Sequence, residues 1–460
     1  MKYDFLAEAK LRREEFLDDL KGYIKIPSLL DESSIAEGAP FGGALSDMLT
    51  HALNLAERDG FKTQNIDGYA GVIEFGEGEE IVGVLGHLDV VPVGEGWTSN
   101  PFDMIEKDGY VIGRGITDNK GPTVASYYAI KILRDLNIDM NKKIHLILGC
   151  DEESGMRCMK YYRENAVVPD FGFVPDASFP VIYGEKGIVR VKYTLRYPSV
   201  IKKMMAGERS NIVLGRATAI IDGSEEALAF EQYLSKHNLQ GNLEVNEEGV
   251  SYQIIGEFAH AATPEKGVNA AWHILNFVQE TYGDELCKKL TYLLADYFGK
   301  NVGNAIDGVH MGKLTMNLGI LNFSENHCDF VLDIRYPNDT SGKQVLTNIQ
   351  NALKEQELQF EEEILADKNP LFIDPENELI KTLEKCYREY SNDYDTPLKT
   401  MGGGTYARTL DNFAAFGAAF PTHMKPDFAG DAHQADEGVA IDDLITACAI
   451  YADALYRLTR

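Results

Sequence analysis

The chain has no Cys-x-x-Cys pair, and its six cysteines (150, 158, 287, 328, 386 and 448) are scattered through 460 residues. Such sparse thiol use matches a reducing compartment with free or buried thiols. No run of about 18 apolar residues occurs, which excludes a helical membrane span. The N-terminus, Met1-Lys2-Tyr3-Asp4-Phe5, has no apolar signal core, so a cytoplasmic location is expected. Positive charge is also short: 44 Lys and Arg stand against 72 Asp and Glu, a net charge of −28. A surface of that sign repels nucleic acid and anionic membranes and tolerates small cationic or zwitterionic partners. Gly402-Gly403-Gly404 is not followed by the Lys-Ser/Thr of a phosphate loop, which argues against nucleotide binding.

The length exceeds what one compact core accommodates, so two or three domains are expected. Residues 4–22 place Phe5, Leu6, Ala9, Phe16, Leu17 and Leu20 at roughly helical spacing and read as one amphipathic helix ending near Pro27. Ile81 to Leu85, Ile144 to Leu148 and Phe171 to Val174 are short, mostly apolar runs of the kind found in strands buried on both faces. Helical patterns alternate with them, notably Lys120 to Leu136. The fold class is α/β, with a mostly parallel central sheet. After Gly187 the pattern changes to period two, as in Val189, Val191, Tyr193, Leu195 and Tyr197. Half-wet strands of this type recur at 251–258 and 327–336, between helices near 224–237, 268–281 and 341–356. The expected organisation is a discontinuous α/β domain (1–186 and 369–460) interrupted by an inserted α+β domain (187–368), large enough for two α/β-sandwich subunits.

Each buried strand is followed by a group able to bind a metal. His87-Leu88-Asp89 follows the first, Asp151-Glu152-Glu153 the second and Asp176 the third. Asp118 lies in a loop just before a helix. In open α/β sheets the crevice beyond the carboxyl ends of the strands is where ligands bind. Singly, these matches mean little. Among 72 acids in 460 positions, roughly 11 adjacent acid pairs arise by chance. His327-Cys328-Asp329 repeats His-x-Asp inside an alternating strand and reads as structural, as do His51, His145, His237, His273 and His310. Placement at neighbouring strand ends sets His87 and its partners apart. Carboxylate and imidazole donors without thiolates suit Zn²⁺, Mn²⁺ or Co²⁺ acting as a Lewis acid. Asp89 points the same way as His87 on an extended chain and could orient the imidazole. Glu152 and Glu153, adjacent on an extended segment, would face opposite sides, so one could bind metal while the other takes a proton.

Taken in order, His87-Leu88-Asp89, Gly115 to Gly121, Asp151-Glu152-Glu153, Asp176 and the late His433 resemble the co-catalytic metallopeptidase superfamily of carboxypeptidase G, the aminoacylases and the bacterial dipeptidase PepV. The likeness runs over nearly the whole chain and includes Ala259-His260-Ala261-Ala262-Thr263-Pro264 through Ala270. The segments Gly86 to Trp97 and Met401 to Arg408, with the long insertion, are most similar to the PepV-type dipeptidases. The resemblance implies that the discontinuous domain is the catalytic domain and the inserted one a lid. It also implies two divalent ions, Zn²⁺ foremost with Mn²⁺ or Co²⁺ as alternatives, bridged by Asp118 and a water. His87 and Asp176 complete one ion, and Glu153 and His433 the other. It further implies a cis Asp118–Asn119 peptide, Glu152 as general base, Asp89 behind His87, and His260 as the oxyanion-stabilising histidine. Asn211 and Arg335 would hold substrate, Arg335 by a bidentate grip on a free carboxylate, with Gly403, Gly404 and Thr405 as further donors. His423, ten residues before His433, competes for the last ligand position; His433 is favoured because an acid follows as His-Gln-x-x-Glu.

The function implied is metal-dependent hydrolysis of short peptides with a free amine and a free carboxylate, by a monomer whose lid hinges near 187 and 368. The alternatives are an N-acyl-amino-acid deacylase or desuccinylase and a non-catalytic peptide- or metal-binding relative. Intact Glu152 argues against the last.

Overall fold

The computed structural model describes residues 3–460, which form two compact units. Unit one comprises Met1–Tyr183, Ile373–Lys399 and Gly404–Arg460; unit two comprises Gly184–Phe372 and Thr400–Gly403. Among the described residues no helix is long and apolar enough to cross a membrane. All six cysteines are free and buried.

In unit one the strands run Lys62–Ile66, Ala70–Phe75, Lys143–Gly149, Ile81–His87, Phe171–Val174 and Phe413–Ala415 across the sheet. The last four pair in parallel, and the first three pair antiparallel at the edge. Every residue of Ile81–His87 is buried, as its unbroken apolar run requires at the centre of a covered sheet. The helix Lys120–Asp135 packs on this strand and on Lys143–Gly149, and the C-terminal helix Ile441–Leu458 packs on that helix in turn. Near the start of the chain, two helices, Phe5–Leu11 and Arg13–Ile24, replace the single one expected. The break falls at Arg12, whose guanidinium reaches Asp135 at 2.9 Å.

The main sheet of unit two is continuous and antiparallel. Its order is Gln240–Asn246, Gly249–Ile255, Arg216–Ile221, Ile201–Ala206, Thr315–Ser324, His327–Tyr336, Gly187–Leu195 and Phe360–Lys368. The period-two pattern is realised directly: Val189, Val191, Tyr193 and Leu195 enter the core, while Arg190, Lys192 and Thr194 are half-exposed. Helices Ala227–His237, Ala270–Tyr282, Glu285–Leu293 and Gly342–Glu355 contribute to that core.

Close packing dictates a glycine just before His87. A Cβ at Gly86 would lie 2.2 Å from Thr123 Oγ1 and 3.2 Å from Asn119 Oδ1, at the start of the buried helix. Gly86→Ala should therefore lower stability by about 1–3 kcal/mol, the usual cost of overpacking. Urea unfolding measures this, and a midpoint unchanged from the parent would show that the strand–helix contact is looser than described.

Candidate functional site

The parallel register sets His87 opposite Gly149, so the chain leaves both strands at one edge. Gly149 has to be a glycine, since a Cβ there would meet the Tyr406 ring at 2.5 Å. Beyond it the chain turns sharply, and Glu152 and Glu153 lie in that turn. The expectation of an extended segment with alternating side chains is therefore corrected. The Asp151 carboxylate accepts the Arg157 N–H at 2.8 Å, Met156 adopts a left-handed conformation, and the turn closes. The two glutamates diverge because of the turn.

Asp89 has a second task beside the expected one of orienting His87. Its carboxylate oxygens accept the Glu152 and Glu153 backbone N–H groups, each at 3.0 Å. The nearer partner of His87 Nδ1 is the Asp89 backbone carbonyl, at 3.0 Å, with a carboxylate oxygen at 3.4 Å. A carbonyl can only accept, so Nδ1 carries a proton, and Nε2 faces the acids.

Those acids converge. His87 Nε2 lies 2.8 Å from Asp118 Oδ1 and 3.8 Å from Asp176 Oδ2. His433 Nε2 lies 3.0 Å from Asp118 Oδ2 and 3.1 Å from Glu153 Oε1. The two Asp118 oxygens thus face different imidazoles. Ligand atoms of His87, Asp118 and Glu153 lie within 4.8 Å of one another, and so do those of His87, Glu152 and Asp176. His423 is instead bonded to Asp443 at 2.7 Å. His327 pairs with Asp329 at 3.2 Å on a strand of unit two.

Backbone and side-chain contacts fix the ligands. Asp118 stands at the end of a loop leading to the Lys120–Asp135 helix, joined to Asn119 by a cis peptide. Asn119 accepts from the His87 N–H at 3.3 Å and donates to Asp176 Oδ1 at 3.3 Å, linking two ligands. Glu437, fully buried, accepts the N–H groups of Gly115, Thr117 and Asp118 and pairs with Arg114 at 2.7 Å. Sequence reasoning gave Asn119 no role, and saw Glu437 only as the acid that favours His433.

The electrostatics are those of crowded carboxylates. Burial, followed by the charge of Asp176, raises the Glu152 carboxyl well above its ordinary range. Burial and the Asp118 charge do the same to Asp176. Burial raises Glu153 too, against the opposing hydrogen bond from His433. Asp118 moves the other way, because hydrogen bonds from His433 and His87 outweigh its burial. Hydrogen bonds to Asp118 and Glu153 raise His433 to about 10. Among the described residues no Lys or Arg pairs with any of the four acids, and Glu152 has no side-chain hydrogen bond at all. Oxygen and imidazole donors this close, short of positive charge, fit divalent cations.

Unit two holds His260, Asn211, Arg335 and Gly403; Gly404 and Thr405 belong to unit one. His260 Nδ1 accepts the Ala262 N–H at 3.1 Å, which leaves a proton on Nε2. Burial and the nearby Arg335 charge lower its pKa, keeping the ring neutral. Arg335 lies against Asp333 through Nε and Nη2 and donates from Nη1 to the Gly402 carbonyl at 2.9 Å. Three of its five N–H donors are thereby engaged. Asn317, unremarked in the sequence, donates to the carbonyls of Ser210 and Ile212 and so frames Asn211. Thr405 Oγ1 accepts the Ala407 N–H at 3.1 Å, and the Gly404 backbone lies against the Arg408 side chain.

The chain is similar to known proteins over nearly its whole length. The model of peptidase family M20/M25/M40 matches residues 83–457. The chain is 36% identical over 470 aligned positions, 99% of each chain, to the Bacillus subtilis (strain 168) protein named "Putative dipeptidase YtjP". In fold it is similar to the dipeptidase Dug1p of Saccharomyces cerevisiae (TM-score 0.59, 14% identity, 99% and 98% of the two chains). It is likewise similar to the YXEP protein of Bacillus subtilis, described as a dinuclear metal-binding peptidase (TM-score 0.53, 10% identity, 98% and 99% covered). The chain belongs to peptidase family M20/M25/M40.

Proposed function

We propose that the protein is a metal-dependent dipeptidase that hydrolyses the amide bond of short peptides carrying a free amine and a free carboxylate. One observation carries this reading: the carboxylates of Asp118, Glu153 and Asp176 and two imidazoles converge at a strand edge, with the Glu152 carboxylate within 4.8 Å of the donor atoms of His87 and Asp176. His87, Asp118 and Asp176 would hold one ion, and Asp118, Glu153 and His433 the second. Zn²⁺ is the first assignment and Mn²⁺ or Co²⁺ the alternatives, since all accept these donors. Bound there, such ions polarise a carbonyl and make water acidic enough to attack it at neutral pH.

The chain's own groups do the rest. Glu152 takes the proton of the attacking water and returns it to the departing amine. His260, neutral with its proton on Nε2, donates to the developing oxyanion. Arg335, oriented by Asp333, grips the substrate carboxylate with its two remaining donors. Asn211 and the donors of Gly403, Gly404 and Thr405 complete the substrate contacts. The buried thiols without disulfides support a cytoplasmic location, and a monomer is proposed with it.

Glu152→Ala should reduce kcat by at least about 100-fold, the scale of general acid–base catalysis, while metal content stays that of the parent. Turnover retained with metal bound would remove Glu152 from this role. Assayed on dipeptides beside N-acetyl and N-succinyl amino acids, the protein should cleave the dipeptides; preference for the acylated compounds would make it a deacylase. Arg335→Lys should raise KM for dipeptides about 10- to 100-fold, the worth of a charged hydrogen bond, and leave C-terminally amidated peptides unaffected. Equal effects on both substrate types would show that Arg335 does not read the carboxylate.

A further inference from the structure

Glu437 and Arg114 are both fully buried, with side chains 0% and 1% exposed, and neither contributes to the donor cluster. Buried charge is retained at a cost, so the geometry around it is informative. Glu437 Oε1 accepts the Thr117 N–H at 2.8 Å and the Asp118 N–H at 3.1 Å. Its Oε2 accepts the Gly115 N–H at 3.1 Å and Arg114 Nη1 at 2.7 Å. The loop that presents Asp118 is therefore bonded to one carboxylate at three successive points. Arg114 turns the other way. It donates to the backbone carbonyls of His433 and Gln434 at 3.4 and 3.3 Å, and to those of Val93 and Pro92 at 3.0 and 3.4 Å. His433 lies only four residues before Glu437 and holds a left-handed backbone, φ 68°.

We infer that the buried Glu437–Arg114 pair is a positioning device that sets the spacing between Asp118 and His433 and thereby sustains one ion more than the other. This rests on the two-ion reading given above. The ion assigned to Asp118, Glu153 and His433 has two of its three protein ligands on backbone tied to this pair. The other shares Asp118, but its remaining ligands, His87 and Asp176, leave the ends of central sheet strands and are cross-linked by Asn119, so only one of its three is tied to the pair. Loss of the pair should loosen the former site and largely spare the latter.

Glu437→Gln keeps the shape but sets an amide N–H against backbone N–H donors or against Arg114. Because that variant also leaves a buried guanidinium unpaired, the double variant Arg114→Met with Glu437→Gln, which removes both charges, is made beside it. Calorimetric titration of the metal-free proteins with Zn²⁺ gives stoichiometry and affinity apart from activity. The expected result is two ions in the parent. In the double variant, and in the single variant where it folds, one ion binds as in the parent and the second at least tenfold more weakly. Excess Zn²⁺ should then restore kcat, with KM unchanged throughout. Two ions bound with parental affinities would overturn the proposal, and so would parallel loss of both ions that excess metal does not restore. A parent that binds fewer than two ions would overturn the two-ion reading and this proposal with it.

Discussion

Four carboxylates share a largely buried space with two imidazoles and, among the described residues, no ammonium or guanidinium partner. Burial disfavours the charged form of each, and each acid disfavours the charge of the next, which is why Glu152, Glu153 and Asp176 are all raised. A chain folds around such a cluster only if something else fixes the groups, since left alone they would splay apart. The surrounding structure answers with rigid supports: ends of fully buried parallel strands, a helix start, and two turns held by carboxylates. Asp89 holds the turn of Glu152 and Glu153, and Glu437 holds the loop of Asp118. In both cases a second, hydrogen-bonded acid immobilises the backbone of an acid that must stay poised.

The same arrangement recurs on unit two with the opposite charge. Arg335 is buried, and Asp333, directly opposite Arg190 in the strand register, binds both guanidinium groups. Asn317 opposes Asp333 across the other strand pair and holds the carbonyls on either side of Asn211. Thr315, opposite Arg335, donates to the Ala261 carbonyl next to His260. Three adjacent strands thus aim their polar faces at three groups, and period-two geometry makes this possible by placing alternate residues on one side.

Of the residues that would meet ions, His87, Glu153 and Asp176 were legible in the sequence because of what precedes them, whereas His433 came from the family resemblance. Runs such as Ile81 to Leu85 can be buried only on both faces, so their ends had to lie at one edge of a parallel sheet. The supporting residues were not legible. Glu437 is one of 72 acids, and nothing in its neighbours says that it is fully buried or that residues 115–118 bind to it from over 300 positions away. Asn119, Asp333 and Asn317 are equally ordinary in type; long-range pairing alone gives them work. Local expectations failed where a tertiary contact overrode a propensity. The helix breaks at Arg12, which pairs with Asp135, and the turn after Asp151 replaces an extended segment because that carboxylate binds Arg157.

This difference in legibility follows from the chemistry of the two kinds of residue. A metal ligand is restricted to a few side-chain types, and the strand end restricts its place, so both type and position narrow the search. A supporting carboxylate or amide satisfies backbone N–H groups, which any acceptor of the right length can do, so only its distance to a remote loop identifies it. Asp89 unites the two cases. Its position two residues after His87 marks it in the sequence, yet its carboxylate serves the Glu152–Glu153 turn while its backbone carbonyl orients the imidazole. One residue thereby couples the orientation of a ligand on one strand to the placement of the base on the next, and a displacement of either would be felt by both.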